Sequence, residues 1–447
     1  MKLNQFLSPF RVIILAYAVL ILIGTVLLYL PVSQKPGVNL TLMEALFTAT
    51  SAITVTGLTV VSTADSFSLF GIGVLAVIIQ LGGIGIMSLG TFVWLVMGRK
   101  INLSQRMLIM VDQNQLKFSG LVHLMKNMLG IAILIESIGA VVLGTYYLNY
   151  FDPWYEAFLQ GGFASLTAFT NAGFDITGQS LIPFAYDYFV QVVTMLLIVA
   201  GAIGFPVLVE LKEYLSGKHS RYRFSLFTKV AVTTYFVLLI FGAVSIWLLE
   251  QGHYYAGMEW HQQLFFSLFN SVTARSAGLA TMDIAQYGVA TLLLISGLMI
   301  IGASPSSVGG GIRTTTLAVM FLTIRAFAQG KQHVHVFGRE LHQEDIRKAF
   351  IVLSVFVAGL FLAILFISAI EQDNNIDLVA IIFEVSSAFG TCGLSMGITP
   401  DLAPLSQLIL MVLMFIGRIG LVALLFSMKK TETKQRYHYP KERIIIG

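Results

Sequence analysis

Long apolar runs come in pairs along this chain, each pair encloses a shorter and less apolar segment, and the pattern occurs four times. The long runs span approximately residues 11–30 and 68–97, 127–149 and 186–211, 228–250 and 288–327, and 347–370 and 405–428. Between them lie LMEALFTATSAITVTGL, WYEAFLQGGFASLTAFTNAGF, WHQQLFFSLFNSVTARSAGL and LVAIIFEVSSAFGTCGLS. A bilayer core of about 30 Å takes about 20 apolar residues per helix, so the long runs read as membrane spans. With 11% charged residues against about 25% in soluble domains, a soluble globule is excluded.

The inner segments align on one glycine each, Gly57, Gly173, Gly278 and Gly393, at nearly constant spacing. Ten residues earlier stand Phe47, Phe163, Leu268 and Phe383; six earlier stand Ser51, Thr167, Val272 and Ser387. Such a period marks a tandem repeat. Each segment offers about 13 helix-compatible residues before its glycine, about 20 Å, too short to cross. Non-helical backbone at membrane depth is tolerated only inside protein or along a water-filled cavity. The expected fold is an all-α polytopic membrane protein with four tandem helix, pore loop, helix repeats: eight membrane-spanning helices plus four re-entrant pore helices in pseudo-fourfold arrangement around one pore. The repeats are 1–99, 100–217, 218–330 and 331–428, with a cytoplasmic tail at 429–447.

Basic residues set the orientation. All 27 Lys and Arg except Lys35, Arg275, Arg313 and Arg418 lie in the two termini or in stretches 99–126, 212–229 and 325–348. That asymmetry places both termini in the cytoplasm of a cell membrane. The single cysteine, Cys392, excludes an intrachain disulfide.

The tracts ending each inner segment are Thr54, Val55, Thr56 and Gly57; Thr170, Asn171, Ala172 and Gly173; Arg275, Ser276, Ala277 and Gly278; and Gly390, Thr391, Cys392 and Gly393. None contains an acidic residue, so a tunnel lined by them presents main-chain carbonyls, which replace the hydration shell of a large, weakly hydrated cation. The short helices point the partial negative charge of their C-terminal ends at it. Asp65, Asp175, Asp283 and Asp401 follow on the outer side, where they concentrate cations. Arg275 would repel cations, so its side chain is expected to turn back into protein toward a carboxylate. Cys392 reads as a small filler, and His333 with His335 as a solvated loop rather than a zinc site.

Glycine clusters recur about 30 residues later: LGGIGI (81–86), AGAIGF (200–205), SVGGGI (307–312) and IGRIGL (416–421). The first two read as close helix packing. In the fourth, Arg418 is set against Gly83, Ile203 and Gly310, and a mid-membrane arginine needs carbonyl or carboxylate partners. The third sits in a run of about 55 Å if helical, so it must be broken. The break covers Gly302, Ala303, Ser304, Pro305, Ser306, Ser307, Val308, Gly309, Gly310, Gly311 and Arg313. A phosphate-loop reading fails, because the lysine of GxxxxGK[ST] is missing. The segment is expected below the glycine tracts as a mobile gate, with Arg418 holding it closed.

Four concatenated units with one glycine per loop, an interrupted span in the third and an arginine in the fourth resemble the Trk/Ktr/HKT superfamily of potassium transport proteins. The likeness is to the membrane subunit of bacterial Ktr systems, KtrB-like, and covers essentially the whole chain. It implies a potassium filter centred on Gly57, Gly173, Gly278 and Gly393, with potassium as substrate and no organic cofactor. Plant members with serine at the first position favour sodium, whereas Gly57 points to potassium. It further implies a homodimer and a separate cytosolic RCK ring subunit that binds nucleotide, for which this chain has no GxGxxG. The tail YHYPKERIIIG is expected at a subunit interface. The rival reading is an ion-coupled, sodium-dependent secondary transporter, which usually shows inverted repeats and midplane ionisable groups; only Glu136 and Glu384 could serve here. An enzyme lacks a nucleophile, base or metal cluster in the spans.

Overall fold

A computed structural model describes residues 9–85, 88, 103–112, 121–217, 223–421, 424–425 and 442. The tail 429–447, Glu442 apart, and residues 86–87 and 89–102 of the second long run lie outside the described residues. The fold is mainly helical. Helix α1 (Pro9–Tyr29) leads to the short α2 (Leu42–Thr54) and to α3 (Leu69–Ile84). After α4 (Leu103–Asp112) the order recurs as α5 (Leu121–Tyr147), α6 (Trp154–Thr170) and the pair α7 (Tyr188–Ala202) and α8 (Phe205–Leu215). Next come α9 (Leu226–Glu250), α10 (Trp260–Thr273) and the pair α11 (Val289–Ile300) and α12 (Thr314–Ala328). A hairpin of β1 (His335–Val336) and β2 (Arg339–Glu340) precedes α13 (Gln343–Ile370), α14 (Leu378–Gly390) and α15 (Pro404–Ile419). In that hairpin His333 Nδ1 lies 2.6 Å from a Glu340 carboxylate oxygen, and both side chains are exposed.

Among the described residues four helices, α1, α5, α9 and α13, are long and apolar enough to cross a membrane, or five if the bent pair α7–α8 counts as one. They expose large apolar side chains outward, among them Leu22 and Val26 on α1, Ile138 and Val141 on α5, Ile240 and Phe241 on α9 and Phe361 and Phe366 on α13. In water such stripes would be aggregation sites; in a bilayer they are the solvated face.

The short helices have sharp ends. Helix α2 opens with a capping box, Thr41 N–H donating to Glu44 Oε2 at 2.7 Å and Glu44 N–H to Thr41 Oγ1 at 3.3 Å. Helices α2, α6 and α14 all close on a left-handed residue, Val55, Asn171 and Thr391.

The partners of these short helices correct one sequence expectation. An interruption was expected only in the third set, yet none of the four second runs continues as one straight helix through its glycine cluster. Helix α3 ends at Gly85 (φ 100°), α7 and α8 meet at Gly204 (φ 104°) with a bend of 104°, α11 and α12 are separated by residues 301–313 with Gly311 at φ 72°, and α15 ends at Gly420 (φ 86°). A left-handed residue cannot continue an α-helix, and glycine takes that conformation without steric cost. These four glycines also fix the register: Arg418 corresponds to Gly83, Ala202 and Gly309, one residue from the sequence alignment in the second and third sets.

Three residues before Gly85, Gly204 and Gly420 stand Gly82, Gly201 and Gly417. A Cβ on any of them would overlap the carbonyl of Ile53, Phe169 or Phe389, in the last turns of α2, α6 and α14. The short helices are therefore seated by backbone-to-backbone contact. We predict that Gly201→Val lowers the yield of monodisperse protein and its thermal midpoint, since overpacking costs about 1–3 kcal/mol. Gly297→Ala, where an added Cβ meets nothing within 4 Å, should leave both unchanged.

Candidate functional site

The four glycine tracts have one backbone pattern. The residue two before the glycine has positive φ in each, Val55 (56°), Asn171 (55°), Ser276 (109°) and Thr391 (48°), and so does the glycine itself, Gly57 (95°), Gly173 (69°), Gly278 (69°) and Gly393 (100°). For β-branched Val55 and Thr391 this conformation is strained, and strain of this kind persists only where the surroundings over-determine it. Here the amides supply the determination. Thr56 N–H donates to Ser51 O (2.8 Å) and Gly57 N–H to Ser51 Oγ (3.0 Å). Cys392 N–H donates to Ser387 O (2.9 Å) and Gly393 N–H to Ser387 Oγ (3.0 Å). Ala172 N–H donates to Thr167 O at 2.8 Å. In the third tract, where Val272 has no hydroxyl, Thr273 O takes both Ala277 N–H (2.9 Å) and Gly278 N–H (3.4 Å). With these amides tied back to the short helices, what the tracts can offer a ligand is carbonyl oxygen.

The tracts meet in a closed ring. A Cβ on Gly57 would sit 2.6 Å from the Ala172 oxygen and 2.9 Å from Gly173 Cα. On Gly173 it would sit 2.9 Å from the Ala277 oxygen and 3.3 Å from Gly278 Cα. On Gly278 it would strike the Cys392 oxygen and lie 2.8 Å from Gly393 Cα; on Gly393 it would strike the Thr56 oxygen and lie 3.1 Å from Gly57 Cα. Each glycine thus abuts the residue before the next glycine, in chain order, and the fourth returns to the first. All sixteen sequence-chosen residues fall in these tracts, and none is exposed.

Arg275 corrects a second expectation. It is fully buried and, among the described residues, pairs with no carboxylate: Nη1 donates to Tyr235 O at 2.6 Å, and the guanidinium lies 3.7 Å from the centroid of the Tyr235 ring on α9. The ring face and the carbonyl take the place of an anion. Cys392 Sγ faces the Thr273 and Ala274 carbonyls at 3.4 and 3.3 Å. Of the outer acidic residues, Asp175 accepts from Gly178 N–H (2.7 Å), Thr177 Oγ1 (2.8 Å) and Ser180 N–H (3.0 Å), while Asp65 and Asp283 bond within their own short turns. They hold the loops that follow the tracts in shape. Sequence reasoning missed the left-handed positions before the glycines. The serines six residues earlier were visible as a pattern, but their role was not.

Residues 301–313 lie against the α7–α8 break and are bonded to it strand-like. Ser304 N–H donates to Ala202 O (3.0 Å), Phe205 N–H to Ser306 O (2.8 Å) and Val308 N–H to Gly201 O (3.3 Å). Several of the segment's polar groups are thus bonded to protein, the other circumstance in which irregular backbone survives at membrane depth. Cβ atoms on Gly309 and Gly310 would strike Ser276 Oγ and Thr391 Oγ1, so the segment touches the third and fourth tracts. Ser304 Oγ and Thr314 Oγ1 are 3.0 Å apart, and Arg313 Nη1 donates to the carbonyls of Gly309 and, at 3.4 Å, Ser304. Arg418 donates to the carbonyls of Val308, Gly82 and Gly83, the last at 3.0 Å. It bridges the broken segment to α3 through carbonyls alone.

The family model described as TrkH, cation transport protein, matches residues 4–437. The chain is 54% identical to the Ktr system potassium uptake protein D of Bacillus subtilis over 446 residues, covering 100% of this chain and 99% of that protein. It is 35% identical to the Ktr system potassium uptake protein B of the same organism (98% and 97% covered), and 34% identical to the potassium/sodium uptake protein NtpJ of Enterococcus hirae (100% and 99%). The crystal structure of the potassium transporter TrkH from Vibrio parahaemolyticus shares the fold, with a TM-score of 0.74 at 18% identity, over 96% of this chain and 86% of that one. Family model, full-length relatives and fold agree: the chain belongs to the TrkH cation transport protein family, whose members are transport proteins and not enzymes.

Proposed function

We propose that this chain is the ion-translocating membrane subunit of a Ktr-type potassium uptake system, with the ring of glycine tracts as its selectivity filter. The observation that carries the reading is the closed ring itself, whose tract amides are bonded backward so that carbonyls are left for a dehydrated cation. The potassium uptake named for the 54% identical relative supports the substrate. In this reading the four sets are pseudo-fourfold repeats with eight crossings, termini are cytoplasmic, and the protein works as a homodimer with a separate nucleotide-binding RCK subunit. Residues 302–313 are the gate, closed in the state described, with Arg418 as its latch. A second reading, sodium-dependent transport, is favoured by the 34% identical potassium/sodium uptake protein.

Uptake of potassium and sodium by transport-deficient cells, with and without a candidate RCK subunit, tests the filter. Gly57→Ser puts a Cβ 2.6 Å from the Ala172 oxygen at a φ of 95°; the potassium-to-sodium uptake ratio should fall by about tenfold, the factor set by roughly 1.4 kcal/mol. An inserted variant with an unchanged ratio rejects the filter. A sodium requirement for potassium uptake would favour the second reading.

The gate is tested separately by flux. Deleting Ser304–Gly311, or replacing Arg418 by Ala, should raise potassium flux and weaken its dependence on the RCK subunit. Unchanged flux from both variants, at wild-type membrane levels, would sink the gate assignment.

A further inference from the structure

We infer that Glu384 is a positioning residue for the fourth glycine tract, clamping the chain just beyond Gly393 to the short helix before it and so setting which ion the ring prefers. The inference rests on the filter reading above. Glu384 lies in the second turn of α14 and is 1% exposed. One carboxylate oxygen accepts from the Ser395 hydroxyl and from Met396 N–H at 3.1 Å; the other accepts from Thr399 Oγ1 at 3.0 Å. All three donors lie within six residues after Gly393. The network continues outward, with Thr399 O accepting from Gln407 Nε2 of α15 at 3.4 Å. None of the ion pairs among the described residues involves Glu384. A buried carboxylate without a basic partner is costly unless its hydrogen bonds repay the desolvation, and all of these bonds go to one segment.

That segment matters because Gly393 closes the ring. Its amide is held from behind by Ser387 Oγ at 3.0 Å, and Glu384 holds Ser395 two residues further on. The tract is therefore pinned on both sides of the residue that abuts Thr56 and Gly57. No other set has a carboxylate at this place: nine residues before their glycines stand Thr48, Ala164 and Phe269, and the Thr48 hydroxyl is spent on Glu44 O within its own helix. The second and third sets have single neutral ties instead, Gln160 Nε2 donating to Ile176 O at 3.4 Å and Thr273 Oγ1 to Leu279 O at 2.7 Å. Ion preference in a carbonyl ring depends on opening size and on the rigidity and field of the oxygens. A clamp on one tract fixes all three at that quarter.

The test measures potassium and sodium uptake with the membrane level of each variant, using the full-length chain. Glu384→Ala and Ser395→Ala should each lower the potassium-to-sodium ratio by about threefold or more, the scale of the net contribution of one ordinary hydrogen bond. Glu384→Gln keeps an acceptor oxygen for Ser395 and Met396 and should hold the ratio near wild type. If Glu384→Ala fails to insert, Ser395→Ala decides. A wild-type ratio in the inserted Ala variants overturns the clamp, as does a Gln variant that falls as far as Ala, which would assign the effect to charge. Gly57→Ser separates the two ideas: a ratio moved by it and not by the clamp variants rejects the clamp alone, and a ratio unmoved in every variant rejects the filter with it.

Discussion

Main-chain amides that have no water to bond to decide this architecture. At membrane depth each irregular stretch must find protein partners for its N–H groups, and the solutions are local. The glycine tracts hand their amides back to the short helices, six residues earlier in three sets and to Thr273 in the third. The broken segment 301–313 bonds to a second break, between α7 and α8: Ser304 and Val308 N–H donate to Ala202 O and Gly201 O, and Phe205 N–H donates back to Ser306 O. Everything that faces the ring follows from which half of the peptide group is left over.

The four sets share geometry without sharing chemistry. Ser51 and Ser387 use both hydroxyl and carbonyl, whereas the third set relies on a carbonyl alone. The third set also carries the guanidinium of Arg275, stored against Tyr235, and the fourth carries Glu384 and Arg418. Arg275, Glu384 and Arg418 thus stand in the last two quarters, where the broken segment touches the tracts, while the second set has its own carboxylate, Glu136, which accepts from Gln80 Nε2 at 2.9 Å. Symmetry in the backbone with asymmetry in the side chains gives the quarters of one ring different surroundings, which the proposed gate at residues 302–313 would exploit.

Much of this was legible in the sequence. Repetition exposed Gly57, Gly173, Gly278 and Gly393 in register, and length alone required a break near Gly302–Gly311. Other features could not be read. Val55 and Thr391 are poor left-handed residues by intrinsic preference; the bonds that the following amides make to Ser51 and Ser387 override that preference, and the serines alone do not announce it. The breaks at Gly85 and Gly204 looked like glycine packing because a helix-packing glycine and a helix-ending glycine have the same composition around them, and at Gly420 the neighbouring Arg418 drew the reading instead. The partner of Arg275 was sought among acids, since carbonyls and aromatic faces leave no mark in a sequence. Glu384 stood out only as a carboxylate in an apolar stretch, its donors lying on a loop whose return path the sequence does not fix.

One consequence concerns assembly. The ring closes between Gly393 and Thr56, near opposite ends of the chain, so its last contact is among the most non-local the fold contains, and such contacts form late. A ribosome-bound chain lacking its final quarter has three glycine tracts and no circuit. Distributing the ring over the whole polypeptide thus makes completion of synthesis a condition for closing it and, if the ring is the proposed filter, spares the membrane from leaks through unfinished copies.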